Sequence, residues 1–325
     1  MENRKFYKNN DLIMVTFRTE EGLPFVPLEF MNKLIYSALA KGQELYPVEL
    51  AGYTFELNHG HLFIRVTDPE LVPKFIGYIK QETAHYLNRL LGRRKRTVWC
   101  EGYDSPVLLD YQKALDSFGY GILNPVKDCL VSKMSEYPGV SSYNLMMEGT
   151  NSVNCTAIAR DSVPRIKNPT APYNENDNIV KILEELNQTT AKLTIDPYCW
   201  KSCFYETQQM NPDEFENLVK LSIENKEKEF ILARKNKTVI GRKLLKRSSI
   251  LKKHTPATWG RKMICLSNYE DLRKQFIKHY RSLATQAYQV YLSWKKGLRD
   301  LEFPPGMFPP SFPRLSNLNP AMAFT

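Results

Sequence analysis

The first 125 residues of this chain alternate between short apolar runs typical of strands and longer runs with apolar side chains at helical spacing. Only the turn-prone Asn58-His59-Gly60 separates the second and third strand-like runs, which predicts a hairpin between two helices. The predicted strands cover residues 12–17, 48–57, 61–66 and 98–109, and the predicted helices cover residues 28–45, 71–91 and 109–123.

The resulting order, β-α-β-β-α-β-α, is that of the ferredoxin-like split βαβ arrangement. It predicts an α+β fold whose antiparallel sheet carries its helices on one face. After about residue 150 the composition changes, because residues 151–178 are rich in Asn, Pro, Ser and Thr. We therefore expect a sheet domain over residues 1–150, an irregular linker over 151–210, and a mainly helical, basic accessory region with a Pro-rich tail over 211–325.

The formal net charge of +10 favours a polyanionic partner, because neutralising phosphates releases their counterions. Two clusters carry much of this charge: residues 93–96 read RRKR, and residues 234–262 hold eleven Lys or Arg and no Asp or Glu. A charge run is often only a solvated face, but aromatic residues near both clusters favour nucleic acid. The predicted DNA contacts are Arg93, Arg94, Lys95, Arg96, Arg242, Lys243, Lys246 and Arg247.

The chain lacks a run of about 18 apolar residues, so neither a transmembrane helix nor a membrane partner is expected. Its first residues are polar and lack the apolar core of a signal peptide. The six cysteines are scattered without CxxC spacing, which is typical of reduced thiols rather than of a zinc site. These features predict a cytoplasmic protein.

His59 and His61 are two of only five histidines in the chain, and they stand one residue apart. In a strand, residues i and i+2 point to the same face, so both imidazoles would project together as half of a site for a divalent metal. An HxH pair alone more often has a structural or incidental role. A metal needs at least one more ligand, and a reaction needs a nucleophile.

The third predicted helix offers both of these groups. Tyr120 and Asn124 are four residues apart, so they share a helical face that lies away from the buried stripe. The alternative is that Tyr120 is an ordinary half-buried aromatic residue and that Asn124 caps the helix before Pro125. The residues themselves leave this choice open.

Five short motifs follow one another in a recognisable order. They are NHGHL at residues 58–62, YLNR at 86–89, VW at 98–99, YGILNPV at 120–126 and YPGVSSY at 137–143. Together they resemble the single-tyrosine HUH transposases, and among these the REP-associated tyrosine transposases. Each motif is weak alone, but their common order, over about residues 10–145, is specific.

The resemblance implies a metal-dependent endonuclease and strand transferase that acts in DNA transposition on single-stranded, hairpin-forming repeat DNA. By position, His59 and His61 would bind Mg²⁺ or Mn²⁺, and Asn124 would be the third ligand. Tyr120 would be the nucleophile that forms a 5′-phosphotyrosine. Residues 1–150 would then be the HUH nuclease domain. The implied partner is single-stranded or hairpin DNA. The motifs leave open whether the protein forms a homodimer.

Several alternatives accompany this interpretation. Gly60 stands where the family carries a bulky apolar residue, so the rigidity of the two histidines is in question. The main alternative function is a non-catalytic single-stranded nucleic-acid-binding protein on the same scaffold, although binding alone requires neither the histidines nor Tyr120. An RNA-recognition module needs an aromatic RNP pattern that the strands lack. A metal-dependent hydrolase would need further His and Asp ligands.

Overall fold

The computed structural model describes residues 5–20, 25–94, 96–166, 174–250, 263–298 and 300–307. Within these residues the chain forms seven strands and ten α-helices. Four sequence features lie outside the described residues. They are the predicted contact Lys95, the aromatic residue Trp259, residues 251–262 of the basic stretch, and the Pro-rich tail from residue 308.

The strands and helices follow the predicted order closely. The strands are β1 (Leu12–Arg18), β2 (Glu49–Phe55), β3 (His59–Arg65), β4 (Val107–Leu108), β5 (Ser152–Thr156), β6 (Thr190–Thr194) and β7 (Cys265–Leu266). The helices are α1 (Glu29–Leu45), α2 (Leu71–Leu90), α3 (Tyr111–Ile122), α4 (Asn124–Lys127), α5 (Tyr143–Met147), α6 (Asn174–Leu186), α7 (Tyr205–Gln208), α8 (Pro212–Ala233), α9 (Arg242–Leu245) and α10 (Glu270–Lys295).

Five strands form the central sheet in the order β2-β3-β1-β4-β7. The pairs β2–β3, β1–β3 and β1–β4 are antiparallel, and β7 runs parallel to β4 at the edge. The first four strands therefore have the ferredoxin-like order, which confirms the predicted fold class. In this register Thr16 lies opposite His61, and Arg18 lies opposite His59.

The predicted fourth strand over residues 98–109 is much shorter than expected. It forms only β4 and two isolated bridges to the end of β1, one from Asp104 and one from Trp99. Gly102 has a positive φ of 69°, and Pro106 has no backbone N–H to donate, so a continuous ladder cannot form here. Trp99 is core rather than surface, because its ring stacks on Phe25 with ring centroids 4.7 Å apart.

Helices cover both faces of the sheet. Tyr36 of α1 packs on Tyr53, whose partner on β3 is Leu62, so α1 and the helix α2 packed against it lie on the Leu62 face. The expected one-sided arrangement therefore holds for α1 and α2. Helix α3 lies on the opposite face, where the ring of Phe118 contacts that of Phe63 at a centroid distance of 4.9 Å.

The described residues between 151 and 210 are more regular than the irregular segment that the sequence indicates. Strands β5 and β6 pair antiparallel and pack against α1, where Gln43 bonds with the backbone of Thr194. Helix α8 begins after Asn211 with a capping box formed by Asn211 and Glu214, as the sequence NPDE predicts. The division of the chain into domains stays a prediction.

Among the described residues, no helix is both long enough and apolar enough to cross a bilayer. All six cysteines are free thiols.

The two glycines beside Tyr120 provide a matched test of how closely α3 approaches the sheet. A Cβ on Gly121 would lie 2.6 Å from the ring of Phe63, whereas one on Gly119 would lie 3.4 Å from the side chain of Lys226. We expect Gly121→Ala to lower the free energy of unfolding by about 1–3 kcal/mol through overpacking. Gly119→Ala should leave that free energy unchanged or raise it by up to about 1 kcal/mol, because alanine favours the helix.

Urea unfolding of both variants and of the wild type measures these differences. Equal stability of the two variants would show that α3 does not approach the sheet as closely as described.

Candidate active site

His59 and His61 lie side by side on the face of β3 that α3 covers. Their ring centroids are 4.9 Å apart and their planes are nearly perpendicular. Gly60, between them, faces the other way, and a Cβ there would lie 3.1 Å from Phe55 and 3.2 Å from Phe17. The glycine therefore makes room for two packed rings, and these rings hold the strand that carries the histidines.

Hydrogen bonds fix both imidazoles with the same nitrogen pointing inward. The Nδ1 of His59 lies 2.8 Å from the Oδ1 of Asn58, and the Nδ1 of His61 lies 2.9 Å from the Oγ1 of Thr16. The Nδ2 of Asn124 donates to the Nε2 of His59 at 2.8 Å and to the Nε2 of His61 at 3.2 Å. Each Nδ1 thus carries the proton and each Nε2 offers its lone pair.

Burial keeps both histidines neutral. It lowers the pKa of His59 to about 3, with smaller effects from the charges of Arg18 and Lys127. Burial also lowers the pKa of His61 well below its usual value, and His59, Lys127 and Arg18 act in the same direction. Two uncharged imidazoles with inward lone pairs are suitable metal ligands.

Asn124 reaches the histidines from outside α3, so it does not share a face of that helix with Tyr120 as its spacing suggested. Helix α3 ends at Ile122 and α4 begins at Asn124, because Pro125 cannot donate the hydrogen bond that would continue α3. Asn124 is 2 % exposed, so its side chain lies in the interior of the site. The third predicted ligand therefore lies beside the first two, at the start of a separate short helix.

Tyr120 lies at the edge of this group and is 38 % exposed. Its ring centroid is 6.5 Å from that of His61. The Nζ of Lys127 donates to the Tyr120 hydroxyl at 2.9 Å and to the Oδ1 of Asn124 at 2.7 Å. Burial lowers the pKa of Lys127, but its bonds to Tyr120 and Asp128 outweigh that effect, so the pKa is raised and the ammonium stays charged.

The donor set fits a divalent cation. The described residues contain no group of three His, Cys, Asp or Glu side chains that could hold a metal, so the candidate ligands are the two Nε2 atoms and the amide of Asn124. Asn124 now points its Nδ2 at the histidines, and the amide must turn to present Oδ1 instead. Imidazole-rich sets suit Mn²⁺ better than Mg²⁺, which prefers oxygen.

A cleft of about 320 Å³ opens beside these residues. Thr16, Arg18, His61, Tyr103 and Tyr120 contribute to its lining. Arg18 and Thr16 are functional candidates that the sequence motifs did not single out. Their positions in the sequence could have identified them, because they are polar residues at alternate positions of an otherwise apolar strand.

Helix α8, from the predicted accessory region, holds the other side of Tyr120. The ring of Phe230 lies 6.3 Å from that of Tyr120, and Lys226 forms an ion pair with Asp116 of α3 at 2.7 Å. Arg234, just beyond α8, donates to three backbone carbonyl oxygens that follow or lie within α4. Its acceptors are Val126, Val131 and Ser132, at 3.0, 2.8 and 3.0 Å.

The predicted DNA contacts lie in two surface segments. Arg94 and Arg96 are exposed and Arg93 is half-buried, just before the segment that bridges to the end of β1. The other four, Arg242, Lys243, Lys246 and Arg247, are exposed on or directly after α9. Helix α9 is tied to the chain that follows α4 by a bond from the N–H of Gly241 to the carbonyl of Leu130.

Not every basic residue of the sequence clusters is available to a ligand. Arg234, the first residue of the basic stretch, is 9 % exposed and is held by the carbonyls just described. Outside these clusters, Arg89 of the YLNR motif donates to the backbone oxygens of Val163 and Asp161. Lys80 likewise donates to the backbone oxygens of Cys100 and Gly102.

Comparison with known proteins supports the resemblance for part of the chain. Residues 25–108 match the family described as "Transposase IS200 like". This match confirms the predicted resemblance over residues that include His59 and His61, whereas Tyr120 and Asn124 lie beyond it.

A solved structure of a REP-associated tyrosine transposase bound to a REP hairpin is also similar. The identity is 16 %, and the TM-score is 0.39. The similarity covers 46 % of this chain and 86 % of that chain. No curated protein matches the sequence. The fold assignment itself rests on the strand order.

Arg234 offers a test of the contact between α8 and the site. We expect Arg234→Met to lower the free energy of unfolding by about 2–4 kcal/mol, because it leaves buried carbonyls without a donor. Arg242→Met, at an exposed position, should change that free energy by less than about 0.5 kcal/mol. Urea denaturation of the two variants gives the comparison. A wild-type midpoint for Arg234→Met would mean that Arg234 does not hold α4.

Proposed function

We propose that this chain, whose residues 25–108 match the IS200-like transposase family, is a metal-dependent single-stranded DNA endonuclease and strand transferase. It would use Tyr120 as its nucleophile and act in DNA transposition on hairpin-forming repeat DNA. The observation that carries the proposal is a convergence of four side chains. The inward nitrogens of His59 and His61 meet the amide of Asn124, and the exposed hydroxyl of Tyr120 lies within reach of the same lysine as that amide.

In the proposed reaction the phenolic oxygen of Tyr120 attacks a DNA phosphorus atom. The new bond joins that oxygen to phosphorus while the bond from phosphorus to the 3′ oxygen breaks. The phenol proton passes to water and the departing 3′ oxygen takes up a proton from water, so the products are a 5′-phosphotyrosine and a strand with a free 3′-OH. A 3′-OH can later attack the same phosphorus and release Tyr120, so the bond energy is conserved for strand joining.

His59, His61 and the turned amide of Asn124 would hold Mn²⁺ or Mg²⁺. The cation would neutralise charge on the phosphate oxygens. The chain itself keeps both imidazoles neutral by burial and fixes their tautomers through Asn58 and Thr16.

The charge around the cleft suits a DNA strand. Arg18 lies opposite His59 at the cleft, and the exposed arginines and lysines near residue 94 and on α9 extend this positive surface. The motifs shared with the REP-associated tyrosine transposases make hairpin DNA the substrate to test first.

A covalent adduct tests the chemistry. Wild-type protein with Mn²⁺ and 3′-labelled single-stranded DNA from the flanks of the gene should give a protein–DNA band on a denaturing gel. Tyr120→Phe should abolish the band, and His59→Ala or EDTA should reduce it at least about 100-fold. Tyr205→Phe, which alters a tyrosine that is 77 % exposed, is the control and should leave the band unchanged.

Two results would contradict the proposal. Tyr120→Phe protein that still forms the band would exclude Tyr120 as nucleophile. Wild-type protein that binds the DNA but never forms an adduct would favour the non-catalytic binding protein instead.

The basic residues of α9 should act by neutralising DNA phosphates. Removing one such lysine lowers the slope of log Kd against log salt by about 0.7–0.9, so Lys243→Gln/Lys246→Gln should lower it by about 1.5. Lys278→Gln, exposed on α10, is the control. Fluorescence anisotropy with labelled hairpin DNA measures both slopes. A double variant with the wild-type slope would show that Lys243 and Lys246 do not neutralise DNA phosphates.

A further inference from the structure

We propose that Lys127 is a catalytic residue of this site, whose ammonium stabilises negative charge on the phenolic oxygen of Tyr120 as that oxygen attacks DNA and again as it leaves. The proposal rests on the function proposed above. The sequence motifs give Lys127 no role, since the motif YGILNPV ends at Val126.

Three acceptors hold the ammonium in one place. Its Nζ lies 2.9 Å from the hydroxyl of Tyr120, 2.7 Å from the Oδ1 of Asn124 and 3.0 Å from the Oδ1 of Asp128. A lysine ammonium has three donors, so these contacts account for all of them. The Nζ also lies 4.5 Å from the centroid of the Tyr120 ring. When the amide of Asn124 turns to present its Oδ1 to a metal ion, Tyr120 and Asp128 still hold the ammonium, so a flexible side chain stays fixed on the reacting oxygen.

The surroundings increase the effect of this charge. The side chain of Lys127 is 29 % exposed, so water screens the contact only in part. Helix α4, which carries Lys127, is itself held by the bonds from Arg234 to the carbonyl of Val126. The donor thus belongs to a rigid element, and it loses little energy to reorganisation when charge develops on the oxygen.

Lys127 stays protonated throughout the proposed reaction. The hydroxyl of Tyr120 loses its proton to water as its oxygen bonds to phosphorus, and the departing 3′ oxygen gains a proton from water. In the reverse step a 3′-OH loses its proton to water as it attacks, and the bond from phosphorus to the Tyr120 oxygen breaks. The same ammonium stabilises the departing phenolate, which then takes up a proton from water. One donor therefore serves both cleavage and joining.

A purely structural role is the competing explanation. Lys127 also bonds the Oδ1 of Asn124, so it could act only by holding that amide. The two roles differ in how they respond to the acidity of the phenol at position 120. A more acidic phenol needs less stabilisation of its phenolate, whereas it cannot restore the position of Asn124.

The experiment measures the single-turnover rate of adduct formation in full-length protein with Mn²⁺ and saturating DNA. Lys127→Met should reduce this rate by about 10²–10³-fold, and Lys127→Arg, which keeps the charge, should reduce it by no more than about tenfold. Replacing Tyr120 with difluorotyrosine should recover at least about tenfold of the rate in Lys127→Met. Lys133→Met removes an exposed lysine six residues further on and should behave as the wild type.

Thermal melting and the DNA Kd of each variant check that the protein folds and binds. A wild-type rate for Lys127→Met would overturn the proposal. So would a slow Lys127→Met that neither arginine nor difluorotyrosine improves, because Lys127 would then only position Asn124. A wild-type protein that forms no adduct would instead contradict the proposed function, and the role of Lys127 would fall with it.

Discussion

The site depends on the close approach of α3 to the sheet, where the backbone of Gly121 lies against the ring of Phe63. A side chain at position 121 would collide with that ring. Glycine, which has no side chain, therefore allows α3 to lie this close to the sheet. The approach brings the end of α3 over the face of β3 that carries the two histidines. Because Pro125 then ends the helix, Asn124 starts a new one and reaches both inward nitrogens.

Neutral imidazoles and positively charged side chains both border the candidate site. Burial keeps His59 and His61 uncharged, so they offer lone pairs, while Arg18 and Lys127 supply positive charge at the edge of the cleft. A phosphodiester brings the negative charge that this arrangement lacks. Helix α8 lies far along the chain from the sheet strands, and it contacts the helices that carry Tyr120 and Lys127.

The sequence predicts the parts of the site that depend on local geometry. Strand alternation places His59 and His61 on one face, and the order of elements predicts the sheet. The sequence predicts too long a strand over residues 98–109, because its apolar pattern does not show where a turn breaks the ladder. Arg18 is detectable from alternation along β1. Phe230 is not, since its contact with Tyr120 joins segments far apart in the chain.

The most direct test is to identify the residue that carries DNA. Trypsin should release residues 114–127 as one peptide, in which Tyr120 is the only tyrosine. After reaction with Mn²⁺ and single-stranded DNA, followed by nuclease digestion, mass spectrometry should find a nucleotide phosphate on Tyr120 of that peptide. A modification on any other residue, or an unmodified peptide from protein that has cut the DNA, would contradict the assignment of Tyr120 as the nucleophile.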